Sequence, residues 1–113
     1  MASSYFRQTA VGTNAGATTT KAAVASRVMC FTDIAVTTDA ASLITIEEDV
    51  AGTPVVLWRV RLSAGTGAIP FVYTFASPVR SVSGLSLSLK VSASTSNCEV
   101  SCGGFSYNPN ATT

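Results

Sequence analysis

The side chains that could do chemistry in this chain are few, and their spacing argues against most reactions. There is no histidine, so the commonest general base is missing and neither a Ser-His-Asp nor a Cys-His arrangement can be assembled. The densest acidic group is Glu47, Glu48 and Asp49. Two carboxylates are the minimum for glycoside hydrolysis, but neighbours in a strand point to opposite faces, so this triplet reads as a solvated strand end. The same residues with Asp33 or Asp39 offer oxygen ligands for Ca²⁺ without the spacing of a calcium loop.

Cys30, Cys98 and Cys102 make an odd number of thiols. In an extended segment Cys98 and Cys102 lie about 13 Å apart, beyond disulfide reach, and with no Cys-x-x-Cys a zinc site has no support. Buried free thiols are the expectation. The glycine pairs at 65/67 and 103/104 have no lysine and no following helix, which makes them turn or packing glycines and not phosphate loops. Trp58, Phe71, Tyr73 and Tyr107 could form a sugar-stacking platform, but their positions on alternating apolar faces favour core packing. The chain is therefore expected to be no enzyme, with no catalytic residue, no cofactor and no metal.

The elements that carry these residues have a period of two. Residues 27–37 place Val28, Cys30, Ile34 and Val36 on one face, with Met29 and Phe31 making the other partly apolar. Residues 43–49 form a β-branched strand with an acidic end, followed by a turn at 50–54. In residues 55–62, Val56, Trp58, Val60 and Leu62 form the face expected to enter the core. Ile69, Phe71, Tyr73 and Phe75 line the next strand, which must begin after Pro70 or lie at a sheet edge. Leu85, Leu87, Leu89 and Val91 alternate with Ser86, Ser88 and Lys90. The last strand runs through Cys98, Val100 and Cys102 to Phe105 and Tyr107, and Gly103-Gly104 marks a bulge or a close backbone approach.

Seven or so short strands without an amphipathic helix give an all-β, single-domain antiparallel β-sandwich, jelly-roll-like, over residues 21–108. Its core anchors are Trp58, Phe71, Leu85, Leu87 and Leu89, joined by Ile69, Val91 and Val100. Residues 1–20 are rich in Ala, Thr, Gly and Ser. They read either as a disordered tail or as an extended N-terminal arm in which Tyr5, Phe6, Arg7 and Val11 are candidate assembly contacts. Residues 109–113 form a C-terminal tail.

At 113 residues the chain suits one core. No run reaches the roughly 20 apolar residues of a membrane span, and the first residues lack the pattern of a secretory signal. The net charge of +1 is spread over scattered Lys and Arg, so neither nucleic acid nor a membrane is the expected partner. Charged residues make up 12% of the chain, against roughly 25% in average soluble domains. Ser and Thr take their place, and such groups cost less to bury than Lys or Glu. A surface partly built to be covered follows, with a soluble Ser/Thr-coated monomer as the plainer alternative.

The run VVLWRVRL at 55–62, AGTG at 64–67, residues 71–80 ending in SPVR, and SGLSLSL at 83–89 together resemble the small jelly-roll structural proteins of tailed bacteriophages. The resemblance covers residues 27–107. It implies a virion protein of the capsid cement or decoration type, or a part of a fibre. It also implies a homo-oligomer, a homotrimer above all, that is made in the host cytoplasm, sits on the capsid surface and contacts the major capsid protein or other virion proteins. The alternative it leaves is a fibre-tip or receptor- and glycan-binding β-sandwich module.

Overall fold

The computed structural model describes residues 4–13, 16–39, 41–62, 70–92 and 97–110. Among them are eight strands and no helix: β1 (Ser4–Thr13), β2 (Ala17–Lys21), β3 (Val28–Thr38), β4 (Ser42–Val50), β5 (Thr53–Leu62), β6 (Phe71–Arg80), β7 (Leu87–Ser92) and β8 (Asn97–Tyr107). They form two four-stranded antiparallel sheets, in the orders β1-β8-β3-β6 and β2-β7-β4-β5. The pairs β4–β5, β3–β6, β2–β7 and β1–β8 are nested, each enclosing the one before it. The chain is thus a long hairpin folded over into two facing layers, which is the jelly-roll arrangement.

The innermost hairpin turns on Ala51-Gly52, both with positive φ (52° and 87°). A two-residue turn with both centres left-handed is the primed type whose twist matches paired strands. Val50 and Thr53 close it as a pair, so the turn is shorter than the expected 50–54.

The core lies between the sheets. Met29, Phe31, Ile34 and Val36 of β3, Ile44 and Ile46 of β4, Leu87, Leu89 and Val91 of β7, and Cys98, Val100 and Cys102 of β8 are buried there. The expected faces of β3 need correction. The register of β3 against β8 skips Thr32, so the strand bulges and its alternation changes phase. Met29 and Phe31 therefore point inward together with Ile34 and Val36, and Val28 and Cys30 belong to the outer face. In β5 the register skips Leu57, which turns Val56 away from the face of Trp58.

Other expectations change as well. The described residues of the segment 1–20 do not form an arm outside the sandwich: β1 pairs with β8 along its whole length and β2 pairs with β7. Its small residues suit edge strands that contribute little volume to the core. Of the expected core anchors, Leu87 and Leu89 are fully buried, but Trp58, Phe71 and Leu85 are only half-buried. Leu85 precedes β7 instead of opening it. Ile69, the Gly65 and Gly67 turn and residues 111–113 of the tail lie outside the described residues. As expected, β6 begins directly after Pro70 and is an edge strand.

Candidate interaction surface

The two sides of the sandwich differ in what they do with their side chains. On the side of β1 and β2, two cross-strand links pass over the middle strand β8 at Gly103 and Gly104. Arg7, Gly103 and Asp33 stand in register on β1, β8 and β3. Because Gly103 has no side chain, the Arg7 guanidinium reaches across it to Asp33, with Nη2 3.0 Å from Oδ2. One residue on, Phe6, Gly104 and Phe31 form the equivalent row on the inner face. There the rings of Phe6 and Phe31 meet edge to face with centroids 6.0 Å apart. A side chain on Gly104 would also run into the carbonyl of Cys30, so the close approach anticipated for this glycine pair is present.

Partial burial raises the Asp33 carboxyl. The hydrogen bonds from Arg7 and Thr32 and the Arg7 charge outweigh that and hold it below the ordinary carboxylate value. Gln8 Nε2 donates to the Thr20 carbonyl at 3.1 Å, and Lys21 Nζ sits 4.9 Å over the ring of Phe6. Both contacts stitch β1 to β2 and so close one sheet onto the other.

On the opposite side the edge strands are β5 and β6. The gap between the sheets is filled by rings: Trp58 meets Phe75 edge to face at 5.0 Å and Tyr73 at 5.5 Å, and Tyr73 stacks on Phe71 at 6.2 Å with the planes 4° apart. Around this plug Val55, Val56, Leu57, Val72 and Tyr73 remain exposed, Val72 at 63% and Val56 at 47%. Val56, in register with Glu47, and Val72, in register with Ala35, are on the outer faces of their two sheets, and exposed apolar side chains gathered at one side of a sandwich mark a candidate interaction surface. Sequence alternation assigned Trp58 and Val56 to the core. The bulge at Leu57 is what moves Val56 outside, and periodicity carries no trace of it.

The acidic triplet behaves differently from a solvated strand end. Glu48 is buried and its Oε1 accepts the Val82 amide at 2.9 Å, while Glu47 Oε2 accepts the Thr45 hydroxyl at 3.1 Å. Only Asp49 is exposed. Asp33, a proposed fellow ligand, is in the other sheet beside Arg7. The four assembly candidates also divide: Phe6 packs into its own core and Arg7 bonds within its own sheet, whereas Tyr5 and Val11 are 83% and 70% exposed.

The three thiols are buried and free. Burial pushes all three upward, Cys102 to about 12, with the nearby Asp33 charge adding to the effect there. Cys98 and Cys102 belong to the core cluster, but Cys30 lies on the outer face. There it lines a pocket of about 260 Å³ with Ser77, Pro78, Arg80, Phe105 and Tyr107. No helix among the described residues is long and apolar enough to cross a membrane. No protein-family model and no curated protein matches the chain.

Proposed function

We propose that this chain is a structural subunit that binds protein surfaces in a larger assembly and has no turnover, in the manner of the capsid cement and decoration proteins its sequence resembles. The observation that carries this reading is the apolar wall along β5 and β6, where Val55, Val56, Leu57, Val72 and Tyr73 stay exposed in a chain with 12% charged residues. Exposed apolar side chains gain from being covered. The absence of histidine supports the same reading, since it removes most acid-base chemistry. The test is to strip the protein from particles that carry it, restore it, and measure their melting temperature. A ligand that binds only the assembled state shifts the equilibrium toward it, so restored particles should melt higher than stripped ones. Equal melting temperatures would refute the proposal.

A second reading, a receptor- or glycan-binding module of a virion fibre, is favoured by the pocket in which Phe105 and Tyr107 lie beside Arg80. Rings flanked by a guanidinium suit a sugar face and its hydroxyls. Unchanged particle stability together with loss of attachment to host cells would decide for it.

A further inference from the structure

The wall of β5 and β6 can be covered by backbone pairing or by side-chain packing, and the strands themselves argue against pairing. The β5 edge carries Pro54 and the bulge at Leu57. The register of β6 against β3 jumps from Val79 to Thr74, and the skipped stretch contains Pro78. Bulges and prolines interrupt the row of free amides that an added strand needs. What the wall offers a partner is its side chains.

Their charges are divided along the strand. Pro54 and Val56 stand in register with Asp49 and Glu47, so the acidic groups flank one half of β5, and Arg59 and Arg61 occupy the other half. Counting alternation from the buried Ile44, Ile46 and Glu48 places Asp49, Glu47, Arg59 and Arg61 on the outer face of one sheet. No ion pair joins these four among the described residues. The outer face along β5 is therefore acidic beside Pro54 and Val56 and basic at Arg59 and Arg61, with the bulged Leu57 between the two halves.

We propose that its occupant is a second copy of this chain, related by a two-fold axis that sets the two β5 strands antiparallel. That arrangement brings Arg59 and Arg61 of each copy to Glu47 and Asp49 of the other, with Leu57 and Trp58 nearest the axis. A parallel arrangement would set like charge against like. Ten residues of strand give the contact a length of about 33 Å. The inference rests on the reading of the chain as an assembly subunit, and it replaces the trimer implied by resemblance with a closed two-fold contact.

Light scattering over a concentration series tests it. The parent chain should have the mass of a dimer. Arg59→Glu with Arg61→Glu should be a folded monomer, as should Glu47→Lys with Asp49→Lys, each weakening self-association at least about 100-fold. Mixed one to one, the two reversed chains should recover the dimer, because both contacts are then attractive. Since Glu47 accepts a hydrogen bond from Thr45, Val56→Lys at an exposed site provides a second probe, and thermal melts confirm that each variant is folded. A parent that is monomeric or trimeric, reversed chains that keep the parent mass, or a mixture that stays monomeric would overturn the inference. Particle melting is scored separately: a dimer that fails to stabilise particles removes the proposed function and leaves the two-fold contact standing.

Discussion

The side of β1 and β2 and the side of β5 and β6 solve the same problem in opposite ways. Each must end two sheets without leaving the core open. On the first side the sheets are stitched: Gln8 bonds to the Thr20 carbonyl, Lys21 covers Phe6, and Arg7 and Phe6 reach over two glycines to Asp33 and Phe31. On the second side a plug of Trp58, Tyr73 and Phe75 stands between the edges, and aliphatic side chains around it face outward. A closed side is complete within one chain. A plugged side still gains by being covered, and the proposed interaction surface is placed there, while Tyr5 and Val11 stay exposed on the first side.

The strongest way to break this contrast is at the glycines. A Cβ on Gly104 collides with the Cys30 carbonyl and comes within 3.1 Å of the Phe31 Cα, both backbone atoms. Gly104→Ala should cost about 3 kcal/mol or more by forcing β3 and β8 apart. At Gly103 the nearest atoms are Arg7 Nη2 at 2.6 Å and Asp33 Oδ1 at 2.9 Å, the ends of side chains that can swing away. Gly103→Ala should therefore cost less than about 1 kcal/mol. Denaturant melts that rank the two the other way would show that the links, and not the backbone approach, hold that side together.

The next effect separates stability from association. Phe6→Ala and Trp58→Ala each remove a half-buried ring in edge-to-face contact, and each should destabilise the fold by about 2–3 kcal/mol, below the full loss for a buried aromatic. Only Trp58→Ala should also weaken self-association at concentrations where the chain is folded. Equal effects of the two on association would erase the distinction between the sides.

A smaller effect is tied to pH. The Asp33 carboxyl is lower in the folded state than in the unfolded one, so its stabilisation is fully present above the unfolded value near 3.9 and is lost as pH falls through the folded value. Arg7 is 59% exposed, and solvent screening limits the contribution to less than about 1 kcal/mol. In Asp33→Asn the stability difference between pH 6 and pH 2 should shrink by no more than that, and an unchanged difference would show the pair to be energetically silent.

The smallest concerns the hairpin from which β5 starts. Ala51 has a φ of 52°, which an alanine adopts at a cost. Ala51→Asn creates the Asn-Gly pair favoured in such turns and should raise stability by about 0.5 kcal/mol. A lower melting temperature would mean that Ala51 is held there by contacts other than the turn.

Strand content and fold class were legible because β3, β5, β7 and β8 alternate over apolar residues of core size, and Leu87, Leu89 and Val91 stand where alternation put them. β1 and β2 were not. With Phe6 the one large side chain that either strand turns to the core, they carry little apolar alternation, and what makes them strands is pairing with β8 and β7, at the far end of the sequence. The facing of Met29, Phe31 and Val56 was misplaced because a single unpaired residue, Thr32 or Leu57, inverts every side chain beyond it, and a bulge answers to its neighbouring strand and not to local composition. Glu48 was missed for a similar reason: the Val82 amide that makes its burial tolerable lies in a distant turn. The wall was half legible, since Trp58 and Tyr73 drew notice as rings, but their exposed neighbours became visible only with the register.

The nesting of the strand pairs also fixes an order in time. Residues 50 and 53 can close the inner hairpin as soon as they exist, whereas Arg7 and its hydrogen-bond partner Ser101 are 94 positions apart. During synthesis β1 must therefore wait, unpaired, until β8 has been made. Contacts so distant carry the largest loop-closure cost and form late. A nascent chain would zip outward from Ala51-Gly52, with β4 and β5 joined first and the N-terminal strand docking as the final event. The glycine saddle on β8 is then the latch of that process: once Arg7 and Phe6 have crossed it, the first strand is held from both faces.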